Sequence, residues 1–234
     1  MIAGITAAQA NGSVGSGGAS DPYWASVVSL VKFDGADAAT SLTDEKGGTW
    51  SFSGNAKLST AKKKFGTASL LCDGNGDYVE STKPGFTIPT SGDYTIEFFV
   101  NFATVSSRQI FLGSPGSTLG YFDFRRAGTP RLTWAHSTTI ESTSDMVADT
   151  WYFVAACRTS GTLRLFIDGV QQGAALAGQT AGMNTAGVFQ AGCMPAIGGA
   201  SLGLNGNIDE FRFTAGVGRY TADFTVPADA FHNS

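Results

Sequence analysis

Asp209 is the residue of this chain whose setting most demands a chemical explanation. It lies in Asn207-Ile-Asp-Glu-Phe-Arg-Phe-Thr214, a run that reads as a β-strand. Side chains alternate across a strand, so Ile208, Glu210 and Arg212 are expected on one face and Asp209, Phe211 and Phe213 on the other. A carboxylate beside packed phenylalanines needs a partner, because burying it unpaired is costly. That partner is either an arginine or a set of backbone N–H groups, or it is a bound cation. A second acidic segment, Asp73-Gly-Asn-Gly-Asp77, starts like a calcium loop but has no Glu at the required distance, and it is read as a turn between strands. Cys72, Cys157 and Cys193 are an odd and sparse set with no Cys-x-x-Cys or Cys/His pairing, which argues against a disulfide framework and against zinc. Cys72 and Cys157 sit in apolar runs, as buried thiols do, and assembly in a reducing cytoplasm is expected. Neither His136 nor His232 falls in a nucleophile–base pattern.

The elements that must position these groups are strands. Gly accounts for 31 of 234 residues, about twice the usual share, and charged residues for only 15%, a mix that favours short strands and tight turns. Tyr94, Ile96, Phe98, Val100 and Phe102 alternate onto one face, with Glu97 and Asn101 on the other. Trp151–Arg158, Thr162–Ile167 and Val170–Gln172 form a meander whose Asp168-Gly169 pair suits a type I′ turn. Further strands are expected near residues 27–34, 49–52, 56–58, 68–72, 78–80, 109–113, 120–125, 131–135, 190–197 and 207–214. The count is about 12 to 14 strands in one two-sheet sandwich, and no window carries a helical period. Residues 216–227 read as a turn-rich tail clamped by aromatics.

A net charge of −4 gives no electrostatic case for nucleic acid, and Lys62-Lys63-Lys64 is read as a solvated loop. No apolar run approaches the roughly 20 residues of a membrane helix, so no membrane insertion is expected. Ala8-Gln9-Ala10 resembles a cleavage site, but no Lys or Arg precedes it and the apolar stretch is short, so export by a standard signal peptide is not expected. Residues 1–22 are Gly/Ser-rich and lack a hydrophobic pattern. They are read as an extended arm, distinct from a domain at 23–234, that docks on a neighbouring subunit or else folds back on its own domain.

Four segments in order resemble the laminin G-like branch of the concanavalin A-like lectin/glucanase jelly rolls. They are Leu30-Val-Lys-Phe-Asp-Gly35; Phe65 to Val79; Tyr94-Thr-Ile-Glu-Phe-Phe-Val100 with Trp151-Tyr-Phe-Val154 and Leu163-Arg-Leu-Phe-Ile-Asp-Gly169; and Gly206-Asn-Ile-Asp-Glu-Phe-Arg-Phe213. The flanks Asp21–Leu30 and Gly216–Pro227 resemble domains of tailed-bacteriophage virion proteins. The resemblance implies an all-β, two-sheet antiparallel jelly-roll sandwich. It implies one structural Ca²⁺ held by Asp34 and Asp209, with Asp44 and loop carbonyls completing the shell, although Gly35 stands where the family often has a second acid. It also implies sugar recognition by aromatic and polar residues of the middle section, for which Tyr121, Phe122, Arg125, Trp134 and His136 are the candidates, although Phe122 and Trp134, in alternating strands, read more readily as core. The related glucanases carry Glu-x-Asp-x-x-Glu, because hydrolysis needs an acid and a nucleophile at one bond. None of Glu45, Glu80, Glu97, Glu141 and Glu210 forms that motif, so no enzyme is expected. The expected role is a bacteriophage virion structural or decoration protein, made in the host cytoplasm. Its partners would be other virion proteins and further copies of itself. The alternative is a carbohydrate-binding module for host-surface or environmental glycans.

Overall fold

The computed structural model describes residues 20–83, 85–115, 120–125, 127–182 and 187–234. The expected arm therefore lies almost wholly outside the described residues. Two antiparallel sheets pack face to face. The first holds, in spatial order, β14 (Val170–Leu176), β13 (Thr162–Ile167), β12 (Trp151–Thr159), β7 (Tyr94–Phe102), β16 (Asn205–Ala215), β5 (Ser69–Asp73) and β4 (Lys57–Ser59), with β1 (Val27–Val31) also paired to β16. The second holds β11 (Thr139–Glu141), β10 (Leu132–Ala135), β9 (Tyr121–Phe124), β8 (Gln109–Gly113), β15 (Phe189–Ala191), β6 (Tyr78–Ser81), β3 (Thr49–Ser53) and β2 (Ser41–Thr43). The sandwich expected from the sequence is the one observed.

Alternation builds the layer between the sheets. Tyr94, Ile96, Phe98, Val100 and Phe102 of β7 all enter it, where they meet Phe111, Phe122, Phe124 and Trp134 from the second sheet. Asp168 and Gly169, at φ 49° and 78°, make the two-residue turn of the β13–β14 hairpin, the conformation for which that residue pair was expected. The strand expected at 190–197 stops at Ala191. Pro195–Gly198 instead forms a single helical turn, α1, with Pro at its start, where the missing N–H does no harm.

The first sheet also buries its outer side. Phe99, Phe153, Ala155, Cys157 and Phe166 point away from the main core and are covered by Trp24, Tyr220, Phe224 and Phe231. Tyr220 and Phe224 stack with centroids 3.7 Å apart, so the tail is clamped by aromatics as expected. Ions sit inside this layer. Arg212 bridges Glu97 at 2.8 Å and Asp21 at 3.0 Å, Arg219 reaches Asp21 at 2.8 Å, and the Tyr220 hydroxyl donates to Glu97 at 2.6 Å. The network ties Asp21 to β16 and to the 219–220 segment, and the Asp21 N–H donates to the Ser234 carbonyl at 2.6 Å.

Candidate functional site

β16 changes partner half-way. Asn205–Ile208 pair with β5, and Phe211–Thr214 pair with β1. Between them the ladder to β7 slips by one residue, because Asp209 faces Phe99 while Arg212 faces Glu97. Glu210 absorbs the extra residue at φ 52°, a left-handed conformation uncommon outside glycine. The bulge overturns the simple alternation expected for this strand. Ile208, Phe211 and Phe213 all enter the central core, while Asp209 and Arg212 face outward.

Asp209 is nonetheless fully buried, because the 62–67 loop lies over it. Its carboxylate accepts the backbone N–H groups of Lys64 at 2.7 Å, Phe65 at 3.1 Å and Glu210 at 3.0 Å. Of the partners open at the start, the N–H set is one that the structure shows. The lysine run is not a free patch either. Lys62 pairs with Asp149, and Lys64 lies over the Phe65 and Phe99 rings. Asp34 sits against Gly66 at the rim of the same loop and accepts the Thr67 N–H and hydroxyl. Asp44, the third expected ligand, accepts from Ser29, from the N–H groups of Lys46 and Gly48, from the Trp50 indole and from Lys83.

These surroundings do not fit calcium, which needs six to eight oxygens converging on one point. Here N–H, hydroxyl and ammonium donors face the carboxylates, and no group of three or more His, Cys, Asp or Glu residues suited to a metal exists among the described residues. A melting temperature unchanged by EDTA is the expected result, since removing an ion destabilises only a protein that binds it. A fall on chelation that calcium reverses would show that the shell forms after all.

The bulge carries a different property. Burial raises the Asp209 carboxyl to about 7, against the pull of its three N–H donors, and the nearby Asp34 charge adds to the rise. Burial raises Glu210 to about 8, although the Phe231 N–H and Lys32 favour its charged form. Above the ordinary carboxylate range the folded chain thus keeps protons that the unfolded chain releases. The resulting stability is full below that range and is lost as pH rises through about 7 to 8. The urea midpoint is expected to fall between about pH 5 and about pH 8.5, and to fall less in the Asp209→Asn/Glu210→Gln double variant. Equal slopes for the two proteins would refute this.

The expected sugar residues do not share a surface. Register pairs Tyr121 with Ala135 and Phe122 with Trp134, so the two aromatics of interest lie on opposite faces of the second sheet. Tyr121 faces outward into a small cluster with Ile110, Ala135 and Met194, against which Ile197 of α1 packs. Trp134 is 0% exposed in the central core, with its ring 4.5 Å from Phe122. His136 is buried beside it, and burial followed by the Arg158 charge lowers its pKa to about 4, so it is neutral at pH 7. Arg125, beyond the end of β9, donates to the Val105 carbonyl at 2.9 Å. Strand alternation separates Tyr121 from Trp134.

What the fold does bring together is a cleft of about 550 Å³ at the sandwich edge, between the β3–β4 turn and the β5–β6 loop. Asp73-Gly-Asn-Gly-Asp77 is that second loop, a turn between strands as expected. Asp77, 1% exposed, joins the two walls: it accepts the Asn55 N–H at 2.5 Å and the Asp73 N–H at 2.8 Å. Gly54, at φ 69°, lets the first wall close, since any side chain there would press on Asp77. Thr40, Asn55, Lys57 and Asp73 form the exposed rim, over Ala56 and Leu71. Sequence reasoning missed Thr40, Asn55 and Lys57. The available signal was a Gly-Asn pair at 54–55 that could face the Gly-Asn-Gly of the second loop.

A model of the concanavalin A-like lectin/glucanases superfamily matches residues 73–217. The chain belongs to that superfamily. No curated protein sequence matches it. Among solved structures, this superfamily member resembles domain 4 of AbnA, a GH43 extracellular arabinanase from Geobacillus stearothermophilus in complex with arabinotriose. The TM-score is 0.56 at 16% identity, covering 81% of this chain and 92% of that one. It also resembles the binding domain of Paraclostridial Mosquitocidal Protein 1, with TM-score 0.62, 10% identity, and coverage of 82% and 49%. A third is the botulinum neurotoxin serotype D ligand binding domain in complex with N-acetylneuraminic acid, with TM-score 0.59, 11% identity, and coverage of 87% and 49%. The chain spans about half the length of the two toxin binding domains. At these identities the likeness is one of fold.

Proposed function

We propose that the chain is a non-enzymatic structural or decoration module of a tailed-bacteriophage virion. Residues 1–22 anchor it to neighbouring subunits, and the sandwich at 23–234 is displayed. Virion proteins and further copies of this chain are its partners, and it is made in the host cytoplasm. The observation that carries this reading is the clamp at Asp21. Arg212 and Arg219 grip its carboxylate, and its N–H meets the Ser234 carbonyl. An arm arriving at residue 20 is thereby fastened to the buried outer layer of the first sheet, so a pull on it reaches the centre of the fold. The resemblance of the flanking segments to virion domains gives the arm its partners. Quantitative mass spectrometry of purified particles from the source tests the proposal. Stoichiometric copies, lost from particles when residues 1–20 are deleted, are expected. Absence from particles would overturn it.

A second reading, a glycan-binding module, is favoured by the polar cleft and by two structural neighbours whose complexes hold arabinotriose and N-acetylneuraminic acid. The two roles are compatible in one displayed domain.

A further inference from the structure

We propose that the chain staples itself: the Lys62 amine displaces ammonia from the Asn101 side-chain amide and leaves an isopeptide bond between the two residues. The three groups this needs are already together. Lys62 Nζ donates to Asn101 Oδ1 at 3.3 Å and pairs with the Asp149 carboxylate at 2.6 Å. The amide carbon lies one bond beyond that oxygen, so a rotation of the lysine side chain brings the amine to the roughly 3–3.5 Å from which attack proceeds. Asn101 is 1% exposed, paired across the sheet with Trp151 on one side and Asn207 on the other. Water is therefore kept from the carbon that the amine reaches. Each partner is also fixed by its backbone. The Ser69 hydroxyl donates to the Lys62 carbonyl at 2.6 Å, Asn101 lies in β7 between β12 and β16, and the Asp149 N–H donates to the Phe102 carbonyl at 2.8 Å. Asp149 holds a left-handed φ of 57°, and backbone strain of this kind gathers where a functional side chain must be placed.

A lysine ammonium has no lone pair, so the reaction starts from the free amine. Asp149 takes one proton from Nζ, and the lone pair this frees attacks Cγ of Asn101 to give a tetrahedral intermediate. Asp149 then protonates Nδ2 and takes the surplus proton from Nζ in exchange. The Cγ–Nδ2 bond breaks, the Nζ–Cγ amide remains, and the departing ammonia carries the last proton away as ammonium. The carboxylate ends as it began. Nothing is oxidised or reduced, and no co-reactant is consumed. The bond joins the loop that covers Asp209 to the middle of the first sheet. It also closes a span of 39 residues, which restricts the unfolded chain more than the folded one.

The test is the intact mass of the full chain, measured under denaturing conditions. A species lighter than the sequence by one ammonia is expected, and its tryptic digest should hold a branched peptide joining residues 62 and 101. The species should accumulate faster at about pH 9 than at about pH 7, because the share of free amine rises about tenfold per pH unit below the ordinary lysine range. Lys62→Arg, which keeps the charge but lacks the attacking amine, should retain the full mass. Asp149→Asn should form the link about a hundredfold more slowly, the loss of one proton-transferring group. Both side chains are more than a third exposed, and an unchanged circular dichroism spectrum shows that the variants fold. Full mass in the wild type at both pH values would leave an ion pair only and overturn the proposal. Ammonia lost equally from Lys62→Arg would also overturn it, by placing the loss elsewhere, as at Asn75-Gly76. A link formed at the wild-type rate in Asp149→Asn would overturn the role given to Asp149.

Discussion

Arg212→Met should destabilise the domain by about 3–5 kcal/mol, as breaking a buried ion pair from one side does. Arg212 stands between two acids, Glu97 at 0% exposure and Asp21 at 7%. Its Nε reaches Glu97 and its Nη1 reaches Asp21, while the guanidinium lies 3.9 Å from the centre of the Phe231 ring. Without it, Glu97 keeps only the Tyr220 hydroxyl and a longer contact to Arg219 at 3.3 Å. Two buried carboxylates would then share one cation. Against a typical domain stability of about 5–15 kcal/mol the loss is large. The tail that covers the outer face of the first sheet should loosen with it. Urea unfolding followed by tryptophan fluorescence measures the loss. The Glu97→Gln/Arg212→Met double variant, which removes an acid together with its cation, should recover part of it. A loss below about 1 kcal/mol in the single variant would show that the network behaves like a solvent-exposed pair.

Trp134→Ala should also cost about 3–5 kcal/mol, through lost burial and the cavity left behind. The ring is fully enclosed, against Phe122 at 4.5 Å and Tyr94 at 6.4 Å. Little nearby can collapse into the space, since β10 is flanked by β9 and β11. Below its lowered melting temperature, the variant should bind any glycan as the wild type does. Selective loss of glycan binding with stability intact would instead place Trp134 at the ligand, against its burial.

The same tryptophan shows how much of the fold was legible in the residues alone. Where alternation was regular it identified faces correctly, as in β7, whose five inward residues all reach the central core. The Asp168-Gly169 hairpin was readable because two adjacent left-handed residues leave few choices of sequence. β16 was misread at one point. The bulge at Glu210 shifts the register by one residue, and a one-residue shift exchanges the two faces. Nothing local to Asp209-Glu210-Phe211 announces it, because it arises where one strand must serve β5 and then β1. Ser41–Thr43 and Thr139–Glu141 were missed for another reason. They are three-residue edge strands with one core-facing residue each, too short to show a period. The division of the sugar candidates was already present in the sequence, since Tyr121 and Phe122 are adjacent and point to opposite faces, and Phe122 and Trp134 already read more readily as core. The cleft was out of reach because its walls lie in separate strand pairs, and only the folded topology brings Asn55 to Asp77.

The three thiols carry a last consequence. Cys72, Cys157 and Cys193 are free and buried, and burial raises each above the ordinary thiol range. The thiolate is the reactive form, so all three should resist alkylation and oxidation until the chain unfolds. No disulfide among the described residues holds the sandwich together; its aromatic layers and buried ions do. An oxidant or alkylating reagent should therefore reach these thiols only when the fold opens, so their rate of modification should report how often it does.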